Sequence, residues 1–337
     1  MGSDYTVIEV CAGAGGQSIG LDRAGFTPVA LVEIDEWACK TLRRNRPGWT
    51  VYEGDAADPD VLPQGLRADL LAGGVPCPPF SRAGKQLGLD DERDLLFEMT
   101  VLAERHRPSA VMIENVRGLL DRRFDEYRNE LDEEFRRLGY VSQGWRLLNA
   151  SQFGVPQLRP RAVFVTMASE VADHFVWPTR HRTPKTVGET LGGMMAEGGW
   201  PGAEEWAWNA DRIAPTLVGG SKKHGGPDLG PTRAKREWAD LGVNGLLLAN
   251  KPPGPEFPVD GKPCLTTEMA AVLQGFPKSW RFEGPKTHRY RQVGNAFPPP
   301  VAAAVGRSIC SALEAASTEP VETSSDRAQP SEGTAAA

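Results

Sequence analysis

The chain has 337 residues, 40% of them hydrophobic and 24% charged, and a net charge of −6. That length allows two domains of ordinary size around a substantial core; there is no run near the roughly 18 apolar residues of a membrane span and no basic-then-apolar start of a secretory signal, so a cytoplasmic protein is expected. Five cysteines (Cys11, Cys39, Cys77, Cys264, Cys310), an odd number with no Cys-x-x-Cys spacing, argue against a disulfide framework and a structural zinc site, and no metal is expected.

Thr6 to Val10 reads as a strand that runs into Cys11-Ala12-Gly13-Ala14-Gly15-Gly16 and then a helix over Gln17 to Ala24. Strand, glycine loop and helix form either a nucleotide-type cradle, with free amides at the helix start, or a plain tight turn. A second strand, Val29 to Val32, ends at Glu33-Ile34-Asp35, where an acid commonly accepts hydrogen bonds from ribose. Asp35 also reads as the N-cap of the helix through Leu42. Asp55 closes a third unit, either facing a base or capping a turn.

The apolar run Leu70-Leu71-Ala72 leads into Gly73-Gly74-Val75-Pro76-Cys77-Pro78-Pro79-Phe80-Ser81. Prolines on both sides keep Cys77 out of a helix interior or a central strand and hold it on a stiff turn. In an open α/β sheet, chemistry sits outside the carboxyl ends of the strands, which is where this thiol falls. Asp94 to His106 has helical spacing, and Ser109 to Ile113 is a strand that carries Glu114-Asn115-Val116 at its end. Phe124 to Leu138 reads as an amphipathic helix. Val141 to Leu148 and Ala162 to Val165 read as strands flanking Gln157-Leu158-Arg159-Pro160-Arg161, whose two arginines suit an anion or an electron-rich base.

From about Trp177 to Pro263 the chain turns rich in Gly, Pro and Trp with weak periodicity, which predicts a separate, loop-rich domain. Six cations against Asp228 lie between Arg212 and Arg236, and five against Glu283 lie between Lys278 and Arg291, so two basic stretches interrupt an acidic chain. They read as a solvated face or as loops that grip phosphate. Helical signals return at Thr267 to Gln274 and from Pro299 to Leu313, preceded by Gln292-Val293-Gly294-Asn295. Beyond Ala315 the composition predicts disorder.

Taken in order, Gly13-Ala14-Gly15-Gly16, Pro76-Cys77-Pro78-Pro79-Phe80-Ser81, Glu114-Asn115-Val116, Gln157-Leu158-Arg159-Pro160-Arg161 and Gln292-Val293-Gly294-Asn295 closely resemble the DNA (cytosine-5) methyltransferase family of the bacterial restriction-modification type. The similarity runs from Thr6 to about Leu313 and is weakest between Val176 and Lys262. The resemblance implies an α/β fold: a Rossmann-like S-adenosylmethionine-dependent methyltransferase sheet with a second, smaller, loop-rich target-recognition domain. The expected division is 1–175 for the catalytic and cofactor-binding domain, 176–284 for target recognition, 285–314 for a return to the catalytic domain, and 315–337 for a tail.

By matching position, Cys77 resembles the nucleophile, Glu114 the acid that engages the base, and Arg159 and Arg161 its companions. Gly13, Gly15, Gly16, Glu33, Asp55 and Asn295 resemble the S-adenosylmethionine pocket. A stacked cytosine hides its carbon 6, so the base must swing out of the duplex. The stretch Ser81-Arg82-Ala83-Gly84-Lys85-Gln86-Leu87-Gly88 looks like the loop that closes over it, with Ser81, Arg82 and Lys85 on DNA and Arg233 and Arg236 reading bases from the recognition domain. Two departures stand out. Glu9-Val10-Cys11 replaces the family's Asp-Leu-Phe, which predicts weaker hold on the cofactor, and Pro263 stands where an arginine is common. The partners implied are double-stranded DNA and a restriction endonuclease acting on the same site, for a monomer working at the bacterial nucleoid. A nicotinamide oxidoreductase would leave Pro-Cys, Glu-Asn-Val and the paired arginines unexplained, whereas a related enzyme acting on RNA shares the catalytic set.

Overall fold

The computed structural model describes residues 5–76, 94–179, 183–219, 226 and 228–318. Cys77, Ser81, Arg82, Lys85, Lys222 and Lys223 lie outside the described residues. In chain order the elements are β1 (Tyr5–Val10), α1 (Gly16–Ala24), β2 (Phe26–Glu33), α2 (Glu36–Asn45), β3 (Val51–Glu53), β4 (Leu70–Gly73), α3 (Leu95–His106), β5 (Ala110–Val116), α4 (Asp125–Arg137), β6 (Tyr140–Asn149), β7 (Pro160–Ala168), α5 (Ser169–Ala172), α6 (Val187–Ala196), α7 (Ala203–Asn209), α8 (Thr232–Ala239), α9 (Thr267–Leu273), α10 (Lys286–Asn295) and α11 (Pro299–Thr318).

The strands form one seven-stranded sheet in the order β3-β2-β1-β4-β5-β7-β6. β1 to β5 pair in parallel, and β7 runs antiparallel to both of its neighbours. The central strands carry apolar residues on both faces, as a sheet covered by helices on each side requires: Val7, Ile8, Val10, Leu70, Leu71, Val111 and Ile113 are all fully buried. The strand order reverses between β1 and β4. An open α/β sheet admits ligands at such a switch point, beyond the carboxyl ends of the strands. Here that point lies between the glycine loop after β1 and Gly73-Gly74 after β4.

Local sequence explains the entries to the helices. Asp35 caps α2 by accepting from the Ala38 amide at 3.0 Å, and Asp94 caps α3 by accepting from Leu96 at 3.1 Å. Gly15 precedes α1 with φ +88°, and a Cβ there would come within 2.8 Å of the Leu42 side chain and 3.1 Å of the Trp280 ring, so both its backbone angle and its surroundings demand glycine.

Two expectations need correction and one gains detail. The region read as loop-rich carries the short helices α6, α7 and α8 among its loops, packed by Trp200, Trp206 and Trp238. The capping box of Thr186 and Glu189 ahead of α6 was the legible signal there. Gln292 to Asn295 form the last turn of α10 rather than a segment before a helix. The final helix runs past Ala315 to Thr318.

The change of character near residue 176 does not mark a separate core. Val187, Trp206, Trp238, Leu265 and Val293 share one hydrophobic cluster with Ile19, Leu31 and Leu42 from α1, β2 and α2. Among the described residues no helix is long and apolar enough to cross a membrane.

Candidate active site

A cavity of about 330 Å³ opens at the switch point and is walled by the glycine loop, the ends of β2 and β5, and α10. Gly13, Gly16, Glu33, Asp55 and Asn295 all line it, as does Glu114. Gly15 is not in the wall; it shapes the loop from behind, against Leu42 and Trp280. Glu33 has a second task, since its two carboxylate oxygens accept from the amides of Gly13 at 2.7 Å and Asp35 at 2.8 Å, which locks the glycine loop onto β2. Burial pushes the Glu33 carboxyl above the usual range, against the pull of those two amides. Asp55 turns the chain by accepting from the Ala57 amide at 3.0 Å.

The wall has the chemistry of a ligand cradle. Glu9 is 1% exposed with its Oε2 unpartnered, and neither heteroatom of the buried Gln17 amide has a partner. Buried polar groups are normally bonded, so these three atoms, closed off beneath the loop, are a cost the fold carries at this wall. Burial, reinforced by Glu33 and opposed by Ser18, pushes the Glu9 carboxyl up to about 8. A cationic ligand would favour its ionised form. Cys11 lines the same wall in a left-handed backbone conformation, φ +52°, with its thiol pushed up by burial and by Glu33, Asp55 and Glu9.

Glu114 faces this cavity from the carboxyl end of β5. It pairs in register with Val163 of β7, which makes Arg161 its diagonal neighbour on the same face of the sheet, and Arg161 Nε lies 2.7 Å from Glu114 Oε1. Glu114 is 7% exposed. Burial raises its carboxyl above the ordinary range by more than Arg161 and Arg159 lower it. Beside it, Asn115 donates from Nδ2 to the Val75 carbonyl at 3.0 Å and accepts from the Val116 amide at 2.8 Å. Asn115 thus fixes the chain two residues before Cys77, a positioning role that its place in the Glu-Asn-Val motif did not reveal.

Arg159 takes a different post from the one expected. It is fully buried, Nη1 donates to the Leu217 carbonyl at 2.7 Å, and Nη2 donates to the carbonyls of Gly294 at 2.6 Å and Ala296 at 3.0 Å. The guanidinium therefore ties the 214–217 segment to the end of α10, whereas that of Arg161 is turned to Glu114. Gln157 works alongside it: Nε2 donates to Gln274 Oε1 at 2.7 Å, and Oε1 accepts from the Leu217 amide at 2.9 Å. Gly219 and Gly294 meet backbone to backbone at the same junction, where a Cβ on Gly294 would fall 2.4 Å from the Gly219 Cα. Replacing Arg159 by Met leaves the carbonyls of Leu217, Gly294 and Ala296 without their donor. It should lower the unfolding free energy by about 2–4 kcal/mol, read as a lower denaturant midpoint at unchanged slope; an unmoved midpoint would refute the clamp.

Arg233 and Arg236 both sit on α8, not on loops. Arg233 is bonded to Glu237 at 3.0 Å. Arg236 is exposed and lines a shallow groove with Lys235, Leu246 and Lys262, where Lys235 is paired with Asp228 at 2.9 Å.

Residues 5–311 match the family model described as C-5 cytosine-specific DNA methylase. The chain is 56% identical over 310 residues to the Type II methyltransferase M.NaeI of Lentzea aerocolonigenes, covering 91% of this chain and 75% of that one. It is 52% identical over 318 residues to M.NgoMIV of Neisseria gonorrhoeae, covering 92% and 98%. Among solved structures, a mutant of Spodoptera frugiperda DNMT2 superposes with a TM-score of 0.62 at 17% identity, covering 91% of this chain and 100% of that chain. The Schizosaccharomyces pombe (S. pombe) Dnmt2 methyltransferase gives 0.59 at 16% identity, covering 92% and 99%. These two likenesses establish a shared fold.

Proposed function

The chain belongs to the C-5 cytosine-specific DNA methylase family, and from that premise we propose that it transfers a methyl group from S-adenosylmethionine to carbon 5 of cytosine in a specific duplex DNA sequence, with Cys77 as nucleophile. The observation that carries the reading is Glu114, which faces the glycine-loop cavity at the switch point of the sheet and is held from behind by the buried Arg161. S-adenosylmethionine, when bound, supplies an electrophilic methyl on a sulfonium. Gly13, Gly16, Glu33, Asp55 and Asn295 would hold it, with Gly15 setting the loop, and the acidic Glu9 in the wall suits a ligand that carries positive charge.

Carbon 5 of cytosine is a poor nucleophile until the ring gains electrons. The Cys77 thiolate forms a bond to carbon 6 and pushes the ring electrons toward carbon 5, while Glu114 holds a proton at ring nitrogen 3 and Arg161 faces the exocyclic oxygen. Loss of the carbon 5 proton after methylation lets the carbon–sulfur bond break and the thiolate leave. The target base must be outside the helix stack for any of this. Residues 176–284 would select the site, and Ser81, Arg82 and Lys85 would close on the DNA. Relatives named as Type II methyltransferases support a restriction-modification setting, in which a cognate endonuclease cuts the same sequence when it is unmethylated.

The test is label transfer from tritiated S-adenosylmethionine to duplex DNA and, in parallel, to transfer RNA. Incorporation into DNA alone is expected, and incorporation into RNA alone would overturn the substrate assignment. For base reading, the free Arg236 is favoured over Arg233, which is tied to Glu237. Arg236→Ala should cost about 1–3 kcal/mol at the cognate site and relax discrimination at one base pair, with Arg233→Ala smaller. Binding titrations against cognate and single-mismatch duplexes decide it, and uniform weakening across sequences would reduce Arg236 to a backbone contact.

A further inference from the structure

The glycine loop is a strained piece of backbone. Cys11, Gly13 and Gly15 lie in the left-handed region, at φ +52°, +54° and +88°, a conformation that side-chain-bearing residues rarely adopt. Such a loop persists only where its surroundings fix it. β2 fixes one side through Glu33, which accepts from the Gly13 amide at 2.7 Å. The other side is met by Trp280, on the turn between α9 and α10 and 266 positions along the chain from its partner: the indole N–H donates to the Ala14 carbonyl at 3.1 Å. The same ring closes on Gly15, where a Cβ would stand 3.1 Å from Cζ2.

Both ends of the Ala14–Gly15 peptide are therefore taken, the carbonyl by Trp280 and the N–H by the Ala12 carbonyl at 3.1 Å. A peptide plane held at both ends does not turn over, whereas Gly15, which tolerates either sign of φ, offers no resistance of its own. Trp280 is tightly placed for this work. It is 4% exposed, with the Arg46 guanidinium 5.3 Å over its ring and the Phe276 ring 6.3 Å away. The next residue is clasped by Asn45 at the end of α2, which donates from Nδ2 to the Arg281 carbonyl at 2.7 Å and accepts from the Arg281 amide at 2.9 Å. Ala12, Gly13, Ala14 and Gly16 line the cavity and Trp280 does not, so the indole acts on the wall only through the backbone it holds.

We propose that Trp280 is a positioning residue for the cofactor: by holding the Ala14 carbonyl, it keeps the glycine loop in its binding shape before S-adenosylmethionine arrives. The inference rests on reading this cavity as the S-adenosylmethionine site. Without the indole N–H the buried carbonyl is left unpaired, and the loop gains by turning to find another donor. Binding then draws on the fraction of molecules that retain the cradle, and the apparent affinity falls by that fraction.

Calorimetric titration of the full chain with S-adenosylhomocysteine at pH 8 tests it. Trp280→Phe keeps an aromatic ring but loses the donor, and should weaken binding roughly fivefold. Trp280→His removes more of the ring, yet its Nε2 stands where the indole nitrogen stood and can donate as the neutral imidazole, so binding should return to within about twofold of wild type. Trp49→Phe alters the same aromatic cluster, 6.4 Å from Trp280, at a side chain that makes no hydrogen bond to the loop, and should leave the affinity unchanged. In steady-state assays Trp280→Phe should raise the KM for S-adenosylmethionine by the same factor, with kcat and the KM for DNA unmoved. Wild-type affinity in the Phe variant, or a loss that falls on kcat instead, would overturn the assignment. So would a Phe variant that does not fold or a His variant weaker than the Phe one, since ring bulk would then have the role assigned to the N–H. A wild-type chain that binds no S-adenosylhomocysteine would instead sink the cofactor reading, and this proposal with it.

Discussion

Cys77→Ser should reduce methyl transfer by roughly 10⁴-fold or more while S-adenosylhomocysteine binding persists, because a serine hydroxyl ionises far less readily than a thiol and cannot attack carbon 6 at neutral pH. Turnover near wild type would end the covalent mechanism. A linked result is expected with duplex DNA carrying 5-fluorocytosine, whose carbon 5 cannot lose its substituent: the wild-type enzyme should be trapped, with the adduct mapping to Cys77. The structure sharpens this test by disarming the other four cysteines. Cys39 and Cys310 are buried, and burial pushes both thiols up to about 12. Cys11 and Cys264 are also raised, with burial the leading cause in each. All four are held as thiols, which are poor nucleophiles, so an adduct on any of them would overturn the assignment.

Glu114→Gln should lower the rate by about 10² to 10⁴, the usual worth of a positioned acid, with little change in cofactor affinity. An amide of nearly the same shape still fits between β5 and Arg161, but it cannot transfer a proton to ring nitrogen 3. The sign of the pH effect follows from the raised carboxyl. A group whose folded-state pKa lies above its unfolded value stabilises the protein fully at low pH, below the unfolded value of about 4.3. That contribution is lost as the pH rises through the folded-state pKa. Catalysis that needs the protonated form falls in the same direction. The wild type should therefore lose activity on its alkaline side, and the Gln variant should lack that limb in single-turnover profiles. A Gln variant with wild-type rate and an unaltered profile would remove Glu114 from the chemistry.

What the sequence determined by itself were features fixed by short-range chemistry. Apolar runs dictate buried strands, and Gly13-Ala14-Gly15-Gly16 after a strand dictates a cradle; β1, α1, β2, α2, α3, β5 and α4 fall within a few residues of their expected places. The candidate nucleophile, acid and cofactor residues were legible because they lie in contiguous motifs. Only the tertiary structure decided how long-range partners share the work. Arg159 and Arg161 look alike in sequence, yet one is sealed against three carbonyls from residues 58 to 137 positions away while the other holds Glu114. Which carbonyls a buried guanidinium meets depends on how α10 and the 214–217 segment pack, and no local pattern encodes that.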